Sequence, residues 1–250
     1  MKKKCILGLL VLVSVSVLLI GFGLLTQLAE AGGPCSEPTR IILVRHGQTH
    51  WNVLHILQGN ADIPLNETGL AQAEDLTQEL ADKDVDAIFS SVLSRAYETA
   101  LAIAAPHELG VDVRNNMREI GVGIYTGHQG SQIPLGTRIA WATNPDFAFP
   151  SGVPDTSELL EPEYVEGIWF EGESLNMVAE RSWHAGICNL AKQHCGENVV
   201  VATHGGIIQI ALTQVRGWPV TDYSQIDVPN ASLTVLEFEP DGSVVEVLDW

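Results

Sequence analysis

Two short segments constrain the fold more than anything else in the chain. Ile41-Ile42-Leu43-Val44 is an unbroken apolar run ending in Arg45-His46-Gly47, and Asn198–Thr203 is a second run ending in His204-Gly205-Gly206. Short runs without polar alternation, rich in β-branched residues, read as strands buried on both faces, as in a parallel sheet covered by helices. The chain between and around them alternates in the same sense. Glu67–Lys83 has helical spacing, with Leu70, Ala73, Leu76 and Leu80 on one face and Asn66 or Thr68 as cap. Val85–Phe89 reads as a strand running into Ser90-Ser91, Ser94–Ala105 as a helix before Pro106, and Val111–Val113 as another strand. Ser174–His194 reads as a long helix, and a further helix follows His204-Gly205-Gly206 and runs to about Val215. Ser232–Phe238 and Ser243–Leu248 flank Pro240-Asp241-Gly242 and predict a terminal hairpin with an Asp-Gly turn. The expected class is α/β: a three-layer sandwich with a mostly parallel central sheet and helices on both faces.

Residues 121–173 break this rhythm. The stretch carries five prolines and many glycines, and no Lys or Arg falls between Arg138 and Arg181. It reads as a lid inserted over one end of the sheet, not as a second domain.

The N-terminus is of another kind. Lys2, Lys3 and Lys4 precede an uncharged run from Cys5 to Leu25, 21 residues and long enough to span a bilayer as a helix. Ala29-Glu30-Ala31 offers a small-x-small cleavage pattern. Residues 1–31 are therefore read as a signal peptide or an N-terminal membrane anchor, 32–39 as a linker with Pro34 and Pro38, and 40–250 as the working domain. Either reading places that domain outside the cytoplasm, periplasmic or secreted, with membrane contact only through an uncleaved N-terminal segment. Cys35, Cys188 and Cys195 follow the segment, an odd number that allows one intrachain disulfide at most. Cys188 and Cys195 sit seven apart in one expected helix, a rise of roughly 10.5 Å that is too long to bridge. The cysteines are read as packing residues. No spacing of His and Cys suggests a metal site, and no cofactor is expected.

The whole chain holds 13 Lys+Arg against 31 Asp+Glu, a formal charge of −18. Without residues 1–31, which carry three lysines and Glu30, the remainder stands at −20. Such a surface excludes nucleic acid as a broad partner, because neutralising phosphates along a duplex needs a basic face. Against that background, a few cations are concentrated where chemistry belongs. Ligands of open α/β sheets bind beyond the carboxyl ends of the strands. His46 and His204 each end a buried strand, so both are expected at that edge, each followed by a glycine that lets the backbone approach a ligand. Arg95 opens the helix after Ser90-Ser91 and can reach the same place. Two arginines and two histidines converging there describe a pocket for a dianion such as a phosphate group, with His204 potentially charged.

The order of these motifs resembles the histidine phosphatase (phosphoglycerate mutase-like) superfamily, in its mutase-like branch. The resemblance rests on Arg45-His46-Gly47-Gln48-Thr49-His50-Trp51-Asn52, then Gln58-Gly59, Asp62, Pro64-Leu65 and Gly69. It continues through Ser90 to Ala96, Thr99-Ala100, Arg118-Glu119-Ile120-Gly121, Gly172-Glu173-Ser174 and Thr203-His204-Gly205-Gly206. The family implies that neutral His46 attacks phosphorus to form a phosphohistidine, without a metal. It implies that Arg45, Arg95 and His204 stabilise the phosphoryl oxygens and that Glu119 serves as general acid and then base. Gly47, Asn52, Gln58, Gly59 and Gly205 are expected to line the substrate site. Two departures stand out: Gly123-Ile124-Tyr125-Thr126-Gly127 replaces the family's G-x-W-E-G, and the lid lacks the basic segment with which glycolytic mutases hold a second phosphate. The reading is a phosphomonoester hydrolase acting on a small-molecule phosphate ester. The alternatives are a phosphoglycerate-type mutase, or a non-catalytic phosphate- or phosphoprotein-binding domain, which would have no need of Glu119.

Overall fold

A computed structural model describes residues 35–247. The expected signal peptide or anchor at 1–31, the first part of the linker and the last residue of the expected terminal strand lie outside them. Six strands form one sheet in the order β3-β2-β4-β1-β5-β6: β1 Thr39–Arg45, β2 Ala87–Ser91, β3 Val111–Arg114, β4 Asn198–Thr203, β5 Leu233–Phe238 and β6 Val244–Val247. The four strands β3, β2, β4 and β1 run parallel, while β5 and β6 close the far edge as an antiparallel hairpin.

Side chains alternate across a strand, so each apolar run feeds two cores at once. Ile41 and Leu43 of β1, with Val199 and Val201 of β4, face Trp183, Ile187, Ile208 and Leu212. Ile42 and Val44, with Val200 and Ala202, face Leu76, Leu80, Ala100 and Ile103 on the other side. Helices therefore cover both faces as expected: Glu67–Leu80 and Ser94–Ala104 on one, the segment after Leu175 and Gly205–Arg216 on the other. Asn66 caps Glu67–Leu80 by accepting the Gly69 N–H at 2.8 Å. Leu70 does not join the buried face and is 55% exposed; Gly69 takes the inward position instead.

The long helix expected from Ser174 forms but is not uniform. Its middle, Ala179–Ile187, winds as a π-helix between the α-helical turns Leu175–Val178 and Cys188–Gln193. The excursion at 121–173 is not devoid of regular structure, since it contains the helix Leu135–Thr143, which the sequence reading did not foresee. It builds two small cores of its own. Trp141 and Phe149 pack with Ile120, Val122, Leu175 and Ile207, while Val165 and Phe170 pack on Trp51 and Ile63. Trp51 is also held by its indole N–H, which donates to Glu161 at 2.6 Å.

The cysteine reading is corrected here. Cys35 and Cys195 form a disulfide across a sequence separation of 160, with Cα atoms 5.2 Å apart. The physical reason is register: Arg40 of β1 lies opposite Asn198 of β4, so the residues just before the two strands are neighbours. Among the described residues, no helix is long and apolar enough to cross a membrane.

Candidate active site

Register also brings the two histidines together. Arg45 pairs with Thr203 at the carboxyl ends of β1 and β4, so the next residue of each strand, His46 and His204, is delivered to one point. The His46 N–H donates to the Thr203 carbonyl at 3.0 Å, locking the two exits. The imidazole rings lie with centroids 5.2 Å apart at 61°. Both are buried.

The hydrogen bonds of His46 settle its tautomer. Nδ1 lies 2.6 Å from the Gly47 carbonyl, which can only accept, so Nδ1 carries the proton. Nε2 lies 3.3 Å from Arg95 Nε, which can only donate, so Nε2 presents its lone pair. The His46 carbonyl in turn accepts from Asn230 Nδ2 at 3.0 Å. His204 Nε2 is 2.8 Å from Ser91 Oγ, while its Nδ1 is buried with no protein partner. Burial, then the adjacent Arg95, hold both rings well below the ordinary histidine pKa. His204 is therefore neutral in the ligand-free protein, contrary to the expectation that it adds charge to the site.

The positive charge comes from the arginines. Arg95 is fully buried and aimed by its surroundings, with Nη1 donating to Ala61 O at 2.8 Å and Nη2 to Gly59 O at 3.0 Å. Burial lowers its pKa to about 10, against the opposing pull of Glu119 and Asp62, so it stays protonated at neutral pH. Asp62 accepts from the N–H and hydroxyl of Ser94, fixing the start of the helix that carries Arg95. Arg45 donates Nη1 to Val228 O and keeps a buried Nε with no protein partner. Burial also lowers its pKa, countered by Glu119 and Asp227.

Glu119 approaches from the segment after β3. Its Oε1 accepts from Ile120 N at 2.9 Å and its Oε2 from Gly206 N at 3.3 Å. A Cβ at Gly206 would lie 2.6 Å from Glu119 Oε1, so a side chain there would push the carboxylate out of place. The backbone around Glu119 is held from behind. Arg181 donates to the carbonyls of Asn116, Arg118 and Glu119, and makes two bonds of 2.6 Å to the Glu173 carboxylate. Glu173 also accepts from Arg118 and from Gly121 N, both at 2.9 Å. Burial alone would raise the Glu173 pKa, but the hydrogen bonds and charge of Arg181, with Gly121 N–H and Arg118, hold it below the ordinary carboxylate value.

These groups open on a cavity of about 360 Å³. Of the residues expected from sequence, Arg45, His46, Asn52, Gln58, Gly59, Arg95 and Glu119 line it. Asn52 serves a second purpose: its carboxamide oxygen accepts from Thr49 N at 2.9 Å in a reciprocal cap of the short helix His50–Val53. His204 stands behind His46 and not on the wall. Gly47 is not on the wall either, and its lack of a side chain serves packing, since a Cβ would overlap the Gly69 carbonyl. Gly206, not Gly205, is the glycine that meets the cavity. The sequence reading missed Asn230, Gln209, Tyr223 and the lid residues Ile133, Trp141 and Phe149. His46 and its neighbours are marked by strand ends, whereas these come from segments without a periodic pattern.

Fold and site together define a phosphoryl-handling α/β enzyme with an unprotonated histidine nitrogen beside one buried and one partly buried arginine. Residues 41–250 match the Histidine phosphatase superfamily (branch 1), and the chain belongs to that family as one of its phosphatases. It is 34% identical over 182 residues to a metal-independent phosphoserine phosphatase of Arabidopsis thaliana, covering 70% of this chain and 67% of the relative. It is 32% identical to phosphoglycerate mutase-like protein 4 of the same plant, covering 70% of each. Its fold is similar to that of a phosphoserine phosphatase from Entamoeba histolytica, solved in complex with 3-phosphoglyceric acid. The TM-score is 0.67 at 26% identity, over 83% of this chain and 94% of the other.

Proposed function

We propose that the chain hydrolyses phosphomonoesters through a phosphohistidine on His46. The observation that carries this is the state of the ring: Nδ1–H is engaged by Gly47 O, so Nε2 carries the lone pair at the cavity floor, where in the ligand-free protein it accepts from Arg95 Nε at 3.3 Å, a bond it exchanges for phosphorus. In the first step that lone pair forms the P–N bond while the P–O ester bond breaks, and Glu119 delivers a proton to the departing alkoxide. In the second, water loses a proton to Glu119 and attacks phosphorus, the P–N bond breaks, and inorganic phosphate leaves. Arg45 and Arg95 supply fixed positive charge for the phosphoryl oxygens, where a loose transition state needs it. Arg45 lines the cavity and keeps a buried, unpartnered Nε suited to bonding an anion. All these cations are side chains, so the reaction is read as metal-independent.

Hydrolysis of p-nitrophenyl phosphate in EDTA, by wild type and by His46→Ala, tests the reading. Turnover by wild type that vanishes in the variant is expected, with acid-labile phosphate trapped on a His204 variant but not on a His46 variant. Label that follows His204 would contradict the assignment. The outer cavity carries one cation, Arg138, which favours hydrolysis over a mutase that must hold a second phosphate. Export is also proposed, on the apolar N-terminal segment and the Cys35–Cys195 disulfide, which suits an oxidising compartment.

A further inference from the structure

The outer half of the cavity differs in kind from its floor. Leu57, Val122, Ile133, Trp141 and Phe149 line it, the last four from the excursion over the sheet edge. Trp141 and Phe149 stack with ring centroids 4.3 Å apart and an interplanar angle of 23°, and Tyr125 meets Phe149 edge-on at 5.8 Å. The wall is therefore broad, flat and fixed by packing. Two of the polar groups beside it already have partners in the protein, while Gln58, deeper in the cavity, keeps a buried Oε1 without one. The Trp141 indole N–H donates to the Tyr223 hydroxyl at 3.1 Å, and Gln209 Nε2 donates to Ile226 O at 2.6 Å. Glu119 is the one carboxylate on the described lining, and Arg138 is an exposed cation at the mouth.

We infer that this wall selects the alcohol half of the substrate, which is a monophosphate of an apolar alkyl or aryl alcohol. The inference rests on the hydrolase reading above and names the class of ester it acts on. An apolar alcohol seated on Trp141 and Phe149 leaves water at no polar cost. A zwitterionic alcohol such as that of phosphoserine would set its ammonium group against Trp, Phe and Ile, with no acid to meet it except Glu119. Apart from Arg45 and Arg95, which serve the phosphoryl group, the one cation on the lining for its carboxylate is Arg138, which is exposed. Burying a charge without a partner is strongly unfavourable, so such a substrate is disfavoured.

The test compares kcat/KM for 2-phenylethyl phosphate, ethyl phosphate and O-phosphoserine, all esters of primary alcohols. The substituents of serine make it the better leaving group, which biases the comparison against the proposal. The expected result is at least a tenfold preference for 2-phenylethyl phosphate over each of the others. In Trp141→Ala, and separately in Ile133→Thr, the ratio between 2-phenylethyl and ethyl phosphate should fall several-fold toward one. A ratio is insensitive to the fraction of folded enzyme, so it separates lost selectivity from lost protein. Equal or better turnover of phosphoserine, or a ratio unmoved by both substitutions, overturns the substrate class and leaves the hydrolase standing. If no ester is hydrolysed, p-nitrophenyl phosphate included, both readings fall.

Discussion

Arg95 makes three directed donations from one side chain: Nε to His46 Nε2, Nη1 to Ala61 O and Nη2 to Gly59 O. A guanidinium can do this because its donors form a rigid planar fork, whereas an ammonium is a single point with rotating donors. Arg95→Lys keeps the charge and loses the fork, and should lower kcat about 100-fold, the usual loss when one fixed donor to a developing oxyanion is removed. Steady-state kinetics with p-nitrophenyl phosphate would show it; near wild-type kcat would mean that charge alone suffices. The histidines carry a second expectation, in stability. Both rings are held neutral in the fold, by burial first and then by Arg95, and gain a proton readily only when the chain unfolds. Unfolding is thus favoured as pH falls below about 6.5, their unfolded pKa. Denaturant midpoints of the phosphate-free protein at pH 7.5 and 5.5 should show the loss, and His204→Asn should show less of it. A midpoint equally low at pH 5.5 in the variant would assign the effect elsewhere.

At the scale of elements, Glu119 depends on a clamp that never meets the cavity. Arg181, on the π-helical turn Ala179–Ile187, grips the three carbonyls of Asn116, Arg118 and Glu119 while Glu173 holds Arg181 in place. Glu173 is a positioning residue, so Glu173→Gln should lower kcat roughly tenfold to 100-fold with KM little changed, since misplacing a reacting group by about 1 Å can cost that much. It should also flatten acid sensitivity: the lowered pKa of Glu173 gives stability that is present above about 4.5 and lost as pH falls through the folded value. A rise in KM with unchanged kcat would instead place Glu173 in substrate binding. The sequence displayed Glu173 and Arg118 but not their geometry, because the clamp depends on how residues 116–121 curl, and nothing periodic encodes that. The helix Leu135–Thr143 was hidden for a related reason. Leu135 and Ile139 are exposed and Trp141 is its buried residue, so it presents no apolar stripe to read. β1 and β4 were legible because both of their faces are buried, and their ends placed His46 and His204 before any coordinates.

The whole molecule separates its stability from its site along the strand axis. The catalytic groups gather beyond the carboxyl ends of β1 and β4, while Cys35 and Cys195 join the chain just before the amino ends of the same strands. Thr39 adds to that lower edge, its hydroxyl donating to His194 O at 3.1 Å and accepting from Gly196 N at 3.0 Å. The pairing was within reach of the sequence, because each cysteine precedes a strand by only a few residues and those strands share a matching His-Gly ending. What was missing was the adjacency of β1 and β4, which are separated by two other strands in the chain and meet only in the sheet order. Because the disulfide closes a loop of 160 residues, it should restrict the unfolded chain strongly, by roughly 2–5 kcal/mol. Replacing Cys35 and Cys195 together by serine should therefore lower Tm by about 5–15 °C, given roughly 2–4 °C per kcal/mol for a domain of this size. At 25 °C, where the variant remains folded, kcat/KM should match wild type, because the substitution lies at the opposite end of the two strands from His46. Calorimetry of both proteins, with and without reductant, checks the first part, and reductant should move wild type further than the variant. If the serine variant lost activity while keeping its Tm, the two ends of the sheet would be coupled, and stability and site would not be separate.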